Sequence, residues 1–215
     1  MKTKFLLIPA ISFSVFFTSC LPKLSVTAGK SDEAVIQFST GFSKATAKTL
    51  QSVTGADENA PLFSKDDILA VLNSAGAVET SANIPSSTEI NAKGRLPELS
   101  KHPLSQTGLI KKTDHSITLT LGPKQITEFY EILSENAKSY LDLMMIPALI
   151  GEEMSVQEYK ELLSSMYGPT FAEEIVSGKL TINLSSQDGK KKLEQTLSLG
   201  EILSAKEEQS WSITF

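Results

Sequence analysis

The two histidines, His102 and His115, are the side chains best suited to acid–base or metal chemistry. Neither belongs to a His-x-x-x-His spacing or has a carboxylate-rich neighbourhood, so a zinc site is not indicated. Asp114 precedes His115, but successive side chains of a strand point to opposite faces, and this carboxylate is not placed to orient the imidazole. We therefore predict surface or turn positions for both histidines, and we expect no metal ligands and no cofactor.

Adjacent carboxylates could also suggest acid–base catalysis. Neighbours on a helix point about 100° apart, whereas acidic side chains near helix ends are commonly exposed charge that interacts with the helix dipole. No Gly-x-Ser-x-Gly turn and no Gly-rich phosphate loop accompanies them. We predict exposed helix-terminal charge for all three pairs, and a protein that is not an enzyme. The pairs are Asp66-Asp67, Glu152-Glu153 and Glu173-Glu174.

Cys20 is the only cysteine, and it ends a distinctive N-terminal segment. Lys2 and Lys4 give a short cationic start, and residues 5–17 form an apolar run. A spanning helix needs roughly 20 apolar residues, whereas the apolar region of a secretory signal needs about 7 to 15. The length of the run therefore predicts a signal peptide over residues 1–19.

Residues 17–20, Phe-Thr-Ser-Cys, resemble the lipobox of bacterial lipoproteins, in the looser form found in spirochaetes because Phe17 stands where Leu is usual. The resemblance covers the signal segment only. It implies that Cys20 receives a diacylglycerol and fatty acids such as palmitate, and becomes the new N-terminus. Each buried methylene contributes about 0.8 kcal/mol, so several acyl chains would hold the protein at the membrane. The alternative is an ordinary signal peptide with an incidental cysteine.

The charge of the processed chain argues against nucleic acid as a partner. Removing Lys2 and Lys4 leaves 18 basic and 25 acidic residues, a net charge of −7, whereas proteins that bind nucleic acid or anionic lipid usually present a stripe of basic residues.

We interpret residues 20–32 as the lipidated cysteine and a tether, because they lack periodicity and contain Pro, Gly and Lys. Residues 33–215 are predicted to form one domain, with subdomains 33–121 and 122–215 as the alternative.

Helical spacing of apolar residues predicts helices over 33–53, 65–74, 123–144 and 155–177, the last interrupted by Gly168-Pro169. A short strand over 34–38 is the alternative for the start of the first helix. Ser155 and Glu158 form a capping box at the start of the fourth. Residues 140–150 are apolar on nearly every side, with Asp142 as the only charge, which indicates either core or a binding groove. The candidate ligand-binding residues are Tyr140, Leu141, Met144, Met145 and Leu149.

Alternating apolar residues predict strands over 77–84, 88–94, 115–121, 179–184, 193–199 and 211–215. Residues 94–113 are predicted to be a long loop, with a short strand at Leu109-Ile110 as the alternative. We expect an α+β fold, with an antiparallel sheet of about five or six strands packed on one face by several helices. The strand over 211–215 is expected to be the last strand of that sheet.

Three functions are compatible with these patterns. The first is a membrane-anchored cell-envelope lipoprotein with a non-enzymatic domain that binds lipid or another apolar ligand. The second is a structural or assembly lipoprotein that acts through protein–protein contacts, and the third is a hydrolase without a recognisable motif. Leu21 is not acidic, and an acidic residue there directs some lipoproteins to the inner membrane, so the outer membrane is favoured over the periplasmic face of the inner membrane.

Overall fold

The computed structural model describes residues 21–57, 60–133, 135–204 and 206–215, without the side chains of residues 136, 137, 139 and 140. The predicted signal peptide and Cys20 lie outside these ranges. The fold is α+β, as predicted. The strands are β1 (Lys23–Ala28), β2 (Ala34–Gly41), β3 (Val78–Ser86), β4 (Glu89–Leu96), β5 (Ile110–Lys112), β6 (Ser116–Leu121), β7 (Lys179–Ser186), β8 (Lys192–Ser198) and β9 (Gln209–Thr214).

The helices connect these strands and pack mainly on one side of them. A short 3-10 helix, Leu99–Lys101, and α3 lie within the predicted 94–113 loop, which is therefore largely structured. The α-helices are α1 (Lys44–Thr54), α2 (Lys65–Ser74), α3 (Pro103–Gln106), α4 (Pro123–Glu131), α5 (Glu135–Asp142), α6 (Pro147–Ile150), α7 (Val156–Tyr167), α8 (Pro169–Ser177) and α9 (Leu199–Leu203).

A six-stranded sheet in the order β3-β4-β2-β1-β7-β8 forms the centre of the fold. Neighbouring strands are antiparallel except β1 and β7, which are parallel. Along β7, Leu180, Ile182 and Leu184 are buried, and the residues between them face the other side. The predicted hairpin is confirmed as β7 and β8, because the alternation places one apolar row on the core side.

The predicted tether over residues 20–32 is wrong, because β1 is a central strand of this sheet. Val26 pairs with Ile36 of β2 on one side and with Leu184 of β7 on the other. Val26 and Ala28 are buried, whereas Ser25 and Thr27 point to the opposite face. The apolar residues of β1 do alternate with polar ones, so the period-2 strand pattern is present in the sequence and the interpretation as a tether missed it.

The helix predicted over residues 33–53 is wrong in its first half, where the alternative of a short strand over 34–38 is confirmed. Residues 34–41 form β2, which pairs with β1 and β4, and only the second half is helical, as α1. Ser43 has an extended backbone and its side chain accepts from the Thr46 N–H, which fixes the helix start. Pairing on both sides of β2 therefore outweighs a helical spacing that sequence alone favours.

A second sheet, in the order β5-β6-β9, packs against the apolar face of the large one. Ile117 of β6 faces Ile213 of β9, and both belong to the core shared with Val26 and Ile182. The last strand is therefore not part of the large sheet, and that part of the prediction is corrected. The core face is covered by this second sheet as well as by helices.

The helix predicted over residues 123–144 is divided into α4 and α5, with Leu133 buried between them. The capping box of α7 is confirmed: the Ser155 side chain accepts from the Glu158 N–H, and Glu158 accepts from the Ser155 N–H. Helices α1, α7 and α8 enclose a second core, here called the helical cluster. Its buried residues are Leu50, Tyr159, Leu163, Phe171, Ala172, Ile175 and Val176.

Candidate functional site

A surface groove of about 320 Å³ lies between α4, the end of α5 and α6. Its floor is aliphatic, and one side carries hydroxyl and carboxylate groups. The lining residues are Thr127, Tyr130, Glu131, Leu141, Asp142, Met145, Ile146, Leu149 and Ile150. The groove therefore combines an apolar surface with a short polar wall, which is the usual composition of small-molecule sites.

The groove exists because the apolar stretch turns a corner instead of continuing as one helix. Helix α5 ends at Asp142, and Met145 adopts a left-handed backbone with φ 47°. Pro147 then begins α6, since it needs no backbone donor in the first turn. Gly151, at φ 72°, ends this short helix in the left-handed conformation that glycine adopts without strain.

Three of the predicted ligand-binding residues meet in this groove, namely Leu141, Met145 and Leu149. Met144 does not line the groove: its side chain packs against the helical cluster, as that of Met145 also does, and its carbonyl accepts from the Tyr159 hydroxyl at 2.5 Å. The side chain of Tyr140 lies outside the described part of the chain. The apolar stretch thus contributes to both a core and a groove.

The polar wall of the groove is acidic. The Tyr130 hydroxyl donates to the Asp142 carboxylate at 2.9 Å, and this bond raises the pKa of Tyr130 because it favours the protonated hydroxyl. Glu131 lies beside them and is exposed. Lys138 lies 5.3 Å from the centre of the Tyr130 ring, but its ammonium also contacts Glu135 at 3.3 Å. A ligand group with hydrogen-bond donors or positive charge fits this wall better than a carboxylate does.

The two histidines lie in different environments. His115 is exposed, as predicted. His102 is buried, so a surface position is wrong for it, although it does have a turn role: its Nδ1 accepts from the Leu104 N–H at 3.2 Å and caps α3. Its Nε2 has no hydrogen-bond partner and lies against Gly76. Among the described residues, no group of three or more His, Cys, Asp or Glu side chains is arranged to hold a metal.

Glu174 does not have the exposed position predicted for it. Its buried carboxylate accepts from the Ser43 N–H at 2.6 Å and from the hydroxyls of Ser43 and Thr46. It therefore joins α8 to the start of α1. The sequence does carry a signal for this, because Glu174 shares a helix face with the apolar Phe171, three positions before it. Its neighbour Glu173 is exposed and pairs with Lys160.

The face of the large sheet opposite the core is a second candidate binding surface, expected from the prediction that helices cover only one face of the sheet. It is lined by hydroxyl, amide and charged side chains in rows across the strands. The Thr27 and Ser185 hydroxyls are 2.9 Å apart on it. Across the central strands, the row contains Ser25, Thr27, Gln37, Asn91, Lys93, Thr181, Asn183 and Ser185.

The chain matches no protein family model, no curated protein and no solved structure. Within the described ranges, the helices are all too short or too polar to cross a bilayer.

Proposed function

We propose that this protein is a lipid-anchored cell-envelope protein whose domain binds a lipid or another amphiphilic ligand in the groove between α4, α5 and α6, without catalysing a reaction. The observation that carries the proposal is the meeting of Leu141, Met145 and Leu149 in one groove. These residues come from the stretch that is apolar on nearly every side, and such a stretch requires burial in a core, a partner or a ligand site.

The composition of the groove supports an amphiphile rather than a purely apolar molecule. A floor of aliphatic and Met side chains favours an alkyl chain, and Met adapts its shape to different occupants. The Tyr130 hydroxyl and the Asp142 carboxylate at one side provide a place for a polar head group. Burying apolar ligand surface contributes roughly 25 cal/mol per Å², so the floor would supply most of the affinity.

The membrane anchor is proposed from the resemblance of residues 17–20 to a lipobox. A lipidated Cys20 would place the groove beside a membrane, where amphiphiles are concentrated. The outer membrane is the favoured location, because Leu21 is not an acidic residue.

Native mass spectrometry of residues 21–215 with a bacterial envelope lipid extract tests the binding function. We expect a discrete lipid adduct on the parent protein that disappears on Leu149→Asp, because the new carboxylate would be desolvated by the alkyl chain. Met166→Asp is the control: Met166 is 56% exposed on α7 and outside the groove, so this variant should keep the adduct. A parent protein without adduct, or an adduct retained by folded Leu149→Asp, would contradict the proposal.

A structural or assembly role through protein–protein contacts is the second candidate. It is favoured by the open face of the large sheet, where the central strands β1 and β7 present uncovered Ser, Thr and Asn side chains. Thr27→Lys with Asn183→Lys would add charge to the centre of that face while leaving the groove unchanged. Loss of a defined envelope complex in this double variant, with the lipid adduct intact, would favour the second candidate over the first.

A further inference from the structure

We infer that the end of the large sheet at which β1 begins is held directly against the bilayer, so that the strands stand on the membrane instead of lying along it. This inference rests on the proposed lipid anchor at Cys20. The membrane is the committed partner of this surface, and the surface is distinct from the groove.

The short length of chain between Cys20 and the fold is the first reason to place this end of the sheet at the membrane. Pro22 is buried, and its carbonyl accepts from the Thr181 N–H at 2.9 Å, so the chain is fixed to β7 from that residue onward. Only Leu21 separates Pro22 from Cys20. Two residues of extended chain span at most about 7 Å, so a lipidated Cys20 cannot be far from the start of β1.

The position of β1 in the middle of the sheet is the second reason. It is a central strand, paired with both β2 and β7, and it cannot peel away without breaking the sheet. The lipid anchor is therefore attached directly to a central strand of the sheet and not to a flexible N-terminal segment. The end of β1 near Lys23 must face the membrane, and the turn that follows Ala28 must point away from it.

The third reason is that this end of the sheet exposes apolar side chains. Leu21 is 49% exposed, and Phe38, which pairs with Leu24 beside it, is 38% exposed. Beyond them, Phe42 and Phe63 stack with ring centres 6.0 Å apart, and the Phe42 N–H donates to Thr88 in the β3–β4 turn. Partly exposed aromatic and aliphatic residues on one end of a fold are suited to the interface of a bilayer.

Charge adds less to this contact than apolar surface does. Lys23, Lys44 and Lys179 are exposed at the same end, but so is Glu89. The few lysines would favour anionic head groups without forming the larger basic cluster that binds such lipids by itself. The contact is therefore expected to depend on the lipid anchor.

Fluorescence quenching of the lipidated full-length protein in vesicles tests the orientation. The vesicles contain phosphatidylcholine brominated near the head-group end of its acyl chains, and the single Trp211 is first replaced by Phe. Phe38→Trp then reports the end near the anchor. Val78→Trp is the matched control, because Val78 has the same 38% exposure and lies toward the other end of the sheet, where it pairs with Arg95. Lys30→Trp, in the turn after β1, reports the far tip.

We expect a loss of fluorescence for Phe38→Trp, a smaller loss for Val78→Trp and none for Lys30→Trp. Equal quenching at all three positions would mean that the sheet lies flat, and no quenching at any of them would mean that the domain stands off the membrane; either result would overturn the inference. The mass of each protein separates this outcome from failure of the anchor itself, because a chain without lipid on Cys20 would contradict the proposed function instead.

Discussion

The helical cluster and the groove are neighbouring regions built from similar apolar residues, yet they are packed very differently. Leu163 and Tyr159 of the cluster are fully buried, whereas Leu149 and Met145 of the groove are only partly covered. The cluster is also joined by a buried hydrogen bond from Thr46 to Glu174 and a partly buried one from Tyr159, whereas the bond between Tyr130 and Asp142 in the groove is exposed. We conclude that stability is concentrated in the cluster, and that the groove retains apolar surface that a ligand can cover.

The largest expected difference is between two leucines. Leu163→Ala should lower the free energy of unfolding by about 3 kcal/mol, because it leaves a cavity in a closed core, whereas Leu149→Ala should cost less than about 1 kcal/mol at a partly open site. Urea unfolding followed by circular dichroism measures both values. Equal costs would show that the groove is as fully packed as the cluster, and would break the comparison.

Two adjacent glutamates provide the next test. Glu174→Ala should cost about 2 to 3 kcal/mol, because the Ser43 N–H and the two hydroxyls lose a charged acceptor in a buried site. Glu173→Ala removes only an exposed ion pair with Lys160 and should cost less than about 0.5 kcal/mol. The same unfolding measurement applies, and a small effect of Glu174→Ala would mean that water replaces the carboxylate.

Removing the hydroxyl of Tyr159 in the cluster and of Tyr130 in the groove should also have different effects on stability, but the difference should be smaller than for the glutamates. Burial raises the pKa of Tyr159, and Tyr159→Phe should cost about 1 kcal/mol because the Met144 carbonyl loses its donor. Tyr130→Phe should leave the stability nearly unchanged and should instead weaken the lipid adduct that we expect in native mass spectrometry. A stability loss without a binding loss at Tyr130 would argue against a head-group role for the polar wall.

The smallest effect concerns pH and the start of α7. The Ser155 N–H, donating at 2.7 Å, holds the pKa of Glu158 below its ordinary value of 4.5, so the unfolded chain binds a proton more readily than the folded one. The stabilisation is therefore complete above that ordinary value and is lost as the pH falls through the lower folded-state pKa. Between about pH 6 and about pH 3, the melting temperature of Glu158→Gln should fall slightly less than that of the parent protein. An identical fall would mean that the cap does not depend on charge.

Local patterns made much of the fold predictable. The β7–β8 hairpin and the α7 capping box depend on residues a few positions apart, and alternation or cap chemistry specifies them. Strand β1 carries the same kind of signal, because its apolar residues alternate with Lys, Ser and Thr, but the pattern is only six residues long. Its place in the middle of the sheet could not be predicted, because its partner β7 is far along the chain.

The apolar floor of the groove could be predicted from the sequence, but its polar wall could not. Leu141, Met145 and Leu149 stand out because their stretch is apolar on nearly every side. Tyr130 could not be assigned to the site, because its contact with Asp142 depends on the interruption of the predicted helix between α4 and α5. No Gly or Pro in the sequence marks that interruption. Packing in three dimensions, and not local preference, determines where the groove lies.

The parallel pairing of β1 with β7 also has a consequence for how the protein folds. Thr27 and Ser185, which touch across this pair, are 158 positions apart. Closing so long a loop is entropically costly before any contact rewards it, and pairings of this kind slow folding. Strand β1 must wait for β7 to be synthesised before it has both of its neighbours in the sheet. The large sheet is therefore completed late in folding, after most of the chain has become available for pairing.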